Sequence, residues 1–349
     1  MNLYILPIST DQLKDNFFDP APIPSGGQPN VDFWNEFSSG LKKAGVEAHT
    51  TDYWSKDKSQ PDDILMVINH PGETFLWSSF YFLKHFKKRG GFILERRRFL
   101  YKNYRYFKKR ILYQGELPVA MPYVYNNLPA LNKKGIYTKI LLICKGFGNY
   151  DYFNHYLDIN KDITSQYFDN PKNKFLVMIN SNIRPHSLKN EYYSERLKLI
   201  KYFSRIPGFD LYGYFWDKRP RHPFFFHYGK YVRHSWRGTT PDKVKTLSEY
   251  KFSLCLENCI YPGFVSEKIF DSLAAGCIPI YLGPNDTEEI VPKSCFVNFR
   301  RFNNYDKLYH YISALTEKDL NRYRDSIKNF LKSRTPDKGI DVFVHKLIH

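Results

Sequence analysis

Short apolar runs alternate with amphipathic stretches along the 349-residue chain. Asn2-Leu3-Tyr4-Ile5-Leu6 predicts a first strand, and residues 11–30, rich in Pro, Gly and Asp, a loop. Phe33, Trp34, Phe37 and Leu41 fall at helical spacing, so a helix is expected from Phe33 to Ala44, stopped by Gly45. Val46–Asp52 and Ile64–Asn69 then read as strands. The strand–helix–strand rhythm predicts a parallel α/β lobe. It restarts after Asp158, with strands at Phe175–Ile179, Phe209–Gly213, Phe252–Leu256 and Ile278–Leu282. Helices are expected at Glu191–Phe203, from Ser266, and from Tyr305 onward. The expected organisation is therefore an N-terminal lobe over 1–158 and a C-terminal lobe over 159–349 that includes the helical end.

Composition narrows the class. Aromatic residues make up 18% of the chain, far too many for a disordered one. No run approaches the roughly 20 apolar residues of a spanning helix. Met1–Ser9 is apolar but lacks a preceding basic stretch, which reads against a secretory signal. The net charge of +17 admits an anionic ligand, nucleic acid or an anionic membrane surface. Much of it sits in Leu83–Arg110, where twelve Lys and Arg residues stand against Glu95 alone. Cys255 and Cys277 lie in apolar runs and read as buried reduced thiols, which implies a reducing compartment, the bacterial cytoplasm. The Cys255-x3-Cys259 spacing is a weak zinc signal, and no Asp-x-Asp pair occurs, so no metal is expected.

Tyr250–Pro284 carries the chemistry: YKFSLCLENCIYPGFVSEKIFDSLAAGCIPIYLGP. A buried strand ends at Glu257-Asn258, and a loop through Pro262-Gly263 leads to Ser266, a good helix N-cap. Glu267 and Lys268 then fall in the first turn, with Ile269, Phe270, Leu273 and Ala274 as the buried face. The amides and dipole of such a helix start attract phosphate, and Lys268 adds a full charge. The plainer alternative is that Glu267 only favours the helix start and Lys268 is solvated.

The pattern Tyr-Lys-Phe-x4-Glu-Asn, then Glu-Lys, then Ala-Gly-x-Ile-Pro-Ile-x-Leu-Gly-Pro closely resembles the donor-binding signature of the α1,3/4-fucosyltransferases. The resemblance is strong over 250–300, moderate over 174–215 and weak over 105–150. It implies an inverting, metal-independent, GT-B type α/β enzyme, with two Rossmann-like lobes facing an interlobe cleft and GDP-fucose as donor. On this basis Asn258, with Glu257 beside it, contacts the ribose region, Glu267 meets the ribose or the sugar and its developing charge, and Lys268 holds the diphosphate. Phe264, beside Val265, stands where many relatives have Tyr, so a hydroxyl contact to the donor would be missing. Ser181 and Asn182 resemble the family's strand ending in Ser-Asn, and Gly213 ends the next strand, where the backbone approaches the nucleotide. The diphosphate-binding Arg is Arg196, with Arg184 and Lys189 as rivals.

An inverting transfer also needs a carboxylate base. Glu116 stands at the carboxyl end of a strand that starts at Arg110 and ends in Gly115-Glu116, before Pro118, and it resembles the family's catalytic Glu. Its rival Glu95 is embedded in Arg96-Arg97-Arg98, which makes it a poor base. The 1–158 lobe would thus bind the acceptor, a GlcNAc-containing glycan receiving α1,3- or α1,4-fucose, and the 159–349 lobe the donor. Another GDP-6-deoxyhexose donor, or an inactive basic binding protein, remain the alternatives. For Leu83–Arg110 the readings are a membrane-surface patch, an anionic-acceptor channel or a solvated face. Nucleic acid is not an expected partner, because no groove-reading motif accompanies the charge. Bacterial relatives act on lipopolysaccharide intermediates, so a peripheral place on the inner membrane face is expected.

Overall fold

The computed structural model describes residues 1–18, 28–71, 91–157, 166–217, 229–232, 234–333 and 339–349. The chain divides into two compact units. The first comprises Met1–Pro22, Asn30–His155 and Lys338–His349, and the second is built on Tyr156–Asp337.

The first unit contains strands β1 (Asn2–Leu6), β2 (Glu47–Thr50), β3 (Ile64–Ile68), β4 (Lys109–Gln114), β5 (Lys139–Leu142) and β6 (Asp151–Tyr152). Its helices α1 (Gln28–Lys43), α2 (Gly91–Asn103) and α3 (Pro122–Lys133) connect them. The sheet order is β2-β1-β3-β4-β5-β6, every neighbouring pair parallel. All five residues of β3 are buried, as expected of a central parallel strand covered on both faces.

The second unit contains β7 (Lys174–Ile179), α4 (Tyr193–Phe203), β8 (Phe209–Tyr212), α5 (Gly229–Val232), α6 (Lys243–Leu247), β9 (Tyr250–Leu256), α7 (Glu267–Ala274), β10 (Ile278–Leu282), β11 (Val297–Asn298), α8 (Tyr305–Ala314) and α9 (Glu317–Ser333). Its sheet is also parallel, in the order β11-β10-β9-β7-β8. The chain leaves β7 toward β8 on one side and returns to β9 on the other. Strand order therefore reverses between β7 and β9, and the carboxyl ends of such a pair are where open α/β sheets bind ligands.

One expectation is corrected. The helical end of the chain does not belong wholly to the second unit. The last helix, α10 (Gly339–Ile348), completes the core of the first. Phe343, Val344 and Leu347 lie on one side of it and are buried. The Phe343 ring stacks on Phe153 at 4.4 Å and packs on Phe37 at 5.2 Å. Gly40 of α1 leaves the space that the Ile340 side chain fills, and Lys109 Nζ donates to the Ile348 carbonyl.

The basic segment is also used differently than its composition suggests. Leu83–Gly90 lies outside the described residues. Arg96 is buried, 5% exposed, and its Nη2 donates to the carbonyls of Ile68 and Asn69 at 2.5 and 2.8 Å. Arg110 reaches the carbonyls of Phe107, Gly135 and Ile136. These cations cap strand ends and loops, whereas Arg98, Lys102, Arg105 and Lys108 are exposed.

Candidate functional site

The β9 strand is buried almost throughout, so its last peptide delivers Glu257 to a dry position. Glu257 is 0% exposed, and its carboxylate is engaged inward. Oε1 accepts from the Ser266 amide at 2.8 Å and the Tyr281 hydroxyl at 3.0 Å. Oε2 accepts from the Ser266 hydroxyl at 2.7 Å. A buried carboxylate is tolerated when its lone pairs are used in this way. Glu257 therefore locks Ser266, and Ser266 is the N-cap of α7, its Oγ accepting from the Lys268 amide at 3.4 Å.

That cap sets Glu267 and Lys268 on the first turn, as the sequence pattern anticipates. Lys268 Nζ lies 3.0 Å from Ser266 Oγ, 3.4 Å from Glu267 Oε1 and 3.7 Å from Glu257 Oε2. Burial opposes the charge on Lys268, but Glu267 and Glu257 outweigh it and raise its pKa. For Glu267 burial acts upward. Lys268 and then Lys243 overcome it, together with the helix-start amide, and hold the carboxyl at about 2. Both groups are therefore ionised at neutral pH, at a helix end whose dipole favours negative charge.

Arg196 projects from α4 and is 3% exposed. Its Nη2 donates to the carbonyls of Leu256 and Glu257 at 3.0 and 3.1 Å and to Asn258 Oδ1 at 3.1 Å. The guanidinium lies over the Tyr193 ring at 4.7 Å, and its Nε makes no hydrogen bond. Among the described residues no carboxylate forms an ion pair with it. Burial lowers its pKa, yet an arginine stays charged in a protein. The rivals from the sequence lie elsewhere: Lys189 is exposed, and Arg184 is half-buried on the loop before α4.

The remaining candidates all make contacts within the second unit. Phe264 and Val265 are 3% and 0% exposed, and Phe264 meets Tyr156 edge-on at 6.1 Å. Ser181 Oγ accepts from the Tyr214 amide at 3.3 Å. Asn182 donates its amide to the Tyr214 carbonyl and its Nδ2 to that of Phe215. Gly213 has φ +139°, and a Cβ there would lie 2.1 Å from the Asn180 carbonyl. The glycine is thus required by a neighbouring strand end of the same sheet.

Sequence reasoning missed Lys243 and Asp271, which form a 2.6 Å ion pair. Burial works against the Lys243 charge, but Asp271 and Glu267 hold it firmly protonated. Asn180, Arg196, Lys243, Lys268 and Ser272 line one small cavity of about 20 Å³, room for a single water. A signal did exist. Lys243 is the first residue of α6, after the N-cap Asp242, where the helix dipole disfavours a cation. Such a local conflict marks a position set by tertiary need.

In the first unit, Glu116 follows β4 through Gly115. Its side chain is exposed but stands in dense surroundings, whose desolvation raises its pKa. Its backbone is held closely. The Asn69 side chain accepts from its amide at 3.0 Å, and Gln114 Nε2 and the Tyr125 hydroxyl donate to its carbonyl. Glu95 is exposed on α2.

All five cysteines are buried and free. One His-x-x-x-His spacing escapes the sequence reading, His345 and His349 at the chain's end, with ring centroids 4.5 Å apart. Among the described residues no group of three or more His, Cys, Asp or Glu side chains stands ready for a metal. None of the described helices is long and apolar enough to cross a membrane.

Residues 169–329 match the family model "Glycosyltransferase family 10 (fucosyltransferase) C-term". Alpha-(1,3)-fucosyltransferase FucT of Helicobacter pylori is 42% identical over 88 residues, 25% of this chain and 18% of that protein. The 4-galactosyl-N-acetylglucosaminide 3-alpha-L-fucosyltransferase 9 of Bos taurus is 25% identical over 146 residues, 41% of this chain and 34% of that one. The match thus spans about a third or less of these relatives' lengths. A crystal structure of an alpha1,3-fucosyltransferase is similar over 100% of this chain and 90% of its own, with TM-score 0.55 and 18% identity. A crystal structure of alpha1,3-fucosyltransferase with GDP-fucose gives TM-score 0.51 and 17% identity at the same coverage. The two parallel-sheet units therefore have the GT-B type of fold. Residues 169–329 are thus similar to the C-terminal region of glycosyltransferase family 10, the fucosyltransferases.

Proposed function

We propose that the protein is an inverting α-fucosyltransferase that uses GDP-β-L-fucose and fucosylates a glycan hydroxyl, through α1,3 or α1,4 linkage to a GlcNAc-containing acceptor. The observation that carries this reading is the grouping of Arg196, Lys268 and the capped start of α7 at the carboxyl ends of β7 and β9. A buried arginine that forms no ion pair with a carboxylate among the described residues, a half-buried lysine and a helix start together suit a diphosphate.

In the proposed reaction the acceptor oxygen attacks the anomeric carbon as the bond to the GDP oxygen breaks. Glu116 takes the hydroxyl proton, and GDP leaves with the bonding electrons. Arg196, Lys268 and the α7 amides stabilise the charge that gathers on the diphosphate. They supply locally the positive charge a metal would otherwise bring, so turnover is expected without one. The ionised Glu267 stabilises the positive charge developing on the sugar ring. In this reading Asn258, which accepts from Arg196, contacts the ribose.

Fucose transfer from GDP-fucose to a panel of GlcNAc-containing acceptors, with and without EDTA, tests this reading. Transfer should survive chelator, vanish in Glu116→Gln with GDP binding intact, and weaken with donor affinity in Lys268→Met. Turnover only with a different GDP-6-deoxyhexose would move the donor assignment, and normal transfer by Glu116→Gln would place the base elsewhere.

A further inference from the structure

Two strand ends of the first unit are laced together by side chains around Glu116. Asn69, just past β3, has φ +53°, a left-handed conformation in which Asn is one of the few well-tolerated side chains. In that conformation its Oδ1 accepts two consecutive amides, Gly115 at 2.8 Å and Glu116 at 3.0 Å. Its own amide donates to the Tyr113 carbonyl at 2.9 Å. From the other side, Arg96 Nη2 fixes the Asn69 carbonyl at 2.8 Å. Asn69 is 8% exposed and Arg96 is 5% exposed, so a buried cation holds the two successive carbonyls of Ile68 and Asn69 at the end of β3. The Glu116 carbonyl is gripped as well, by Gln114 Nε2 at 3.2 Å and the Tyr125 hydroxyl at 2.8 Å. The Glu116 carboxylate itself takes no hydrogen bond or ion pair among the described residues. Every restraint therefore acts on its backbone and leaves the carboxylate available.

We propose that Asn69, backed by Arg96, is the positioning residue that fixes the Glu116 backbone from which its carboxylate reaches the acceptor proton, an inference that rests on the reading of Glu116 as the base. A base must stand within hydrogen-bond reach of the proton it takes. Freeing two adjacent amides at the strand end lets the Glu116 Cα shift, and small misplacements near the chemistry have large kinetic effects.

Steady-state transfer kinetics of three variants test this. Asn69→Gly keeps the left-handed backbone but removes the accepting oxygen, and Asn69→Asp keeps both. Glu116→Gln tests the underlying reading. Asn69→Gly should lower kcat by about 10- to 100-fold, with the KM for GDP-fucose and calorimetric GDP binding unchanged. Asn69→Asp should recover most of the rate. A merely structural role would lower the yield of folded protein and leave the kcat of the folded fraction intact in Asn69→Gly. That result, with Glu116→Gln inactive, overturns the positioning role. Loss of rate in Asn69→Asp equal to that in Asn69→Gly, at an unchanged melting temperature, overturns it too. An active Glu116→Gln removes the base reading itself, and the positioning role falls with it.

Discussion

At the scale of the residue, the site divides into groups that face ligand chemistry and groups that hold them. Glu257 looks from sequence like a contact residue because it ends a strand beside Asn258. The alternation of a strand says which face a side chain takes, and says nothing of a carboxylate turned back onto its own loop. Its lone pairs are used by Ser266 and Tyr281. Arg196 and Lys268 were singled out because their types and neighbours carry the pattern, and the structure brings both to the end of β9. Lys243 was not, because its one local trace is a cation at a helix start and its partner Asp271 lies far along the chain.

The two candidate catalytic carboxylates are pushed in opposite directions. The Glu116 carboxyl lies above its ordinary value of 4.5 through desolvation, and the Glu267 carboxyl is held at about 2. A base acts only when ionised, so transfer should fall as pH drops through the raised Glu116 value. Glu267 stays ionised throughout that range. A pH profile of kcat/KM should therefore show one acidic limb with a midpoint above 4.5. A limb centred well below that value would be incompatible with Glu116 as the base. The stability that Glu267 draws from Lys268 and Lys243 is fully present above its unfolded value and is lost as pH falls toward 2.

At the scale of the element, strand ends carry the account. The start of α7 was readable from Ser266 and the apolar face behind it, because capping is a local rule. Helices α2 and α3 and strand β5 were not assigned from sequence. The aromatic and basic residues over α2 obscure its helical spacing, and β5 has only four residues. Gly213 has a packing role that the sequence does not show. Its conformation answers to the Asn180 carbonyl, so Gly213→Ala forces two strand ends of one sheet apart. Equilibrium denaturation should show a loss of about 2 kcal/mol or more. An unchanged midpoint would mean that the strand end yields without cost.

At the scale of the whole molecule, the repeated strand–helix rhythm made two parallel α/β units legible, and the observed sheets have that form. The destination of the last helix was not legible. Helical spacing tells which side of α10 is apolar but not which core receives it. Phe343 is 0% exposed among Phe33, Phe37, Tyr113 and Phe153, so Phe343→Ala should destabilise the first unit by about 3–5 kcal/mol. Hydrogen exchange resolves this by unit: faster exchange confined to the second unit would contradict the assignment. The charge of +17 likewise separates by use. Arg96, Lys109 and Arg110 hold carbonyls, Arg196 and Lys268 belong to the proposed donor site, and Arg98, Lys102, Arg105 and Lys108 remain exposed.

The central claim, inverting transfer of fucose from GDP-fucose, is tested most directly by proton NMR of the purified product formed from GDP-β-L-fucose and a GlcNAc-containing acceptor. A single new anomeric signal with α-fucoside coupling and release of one GDP per fucoside are expected. A β-linked fucoside, or consumption of another nucleotide sugar while GDP-fucose is left intact, would contradict the claim.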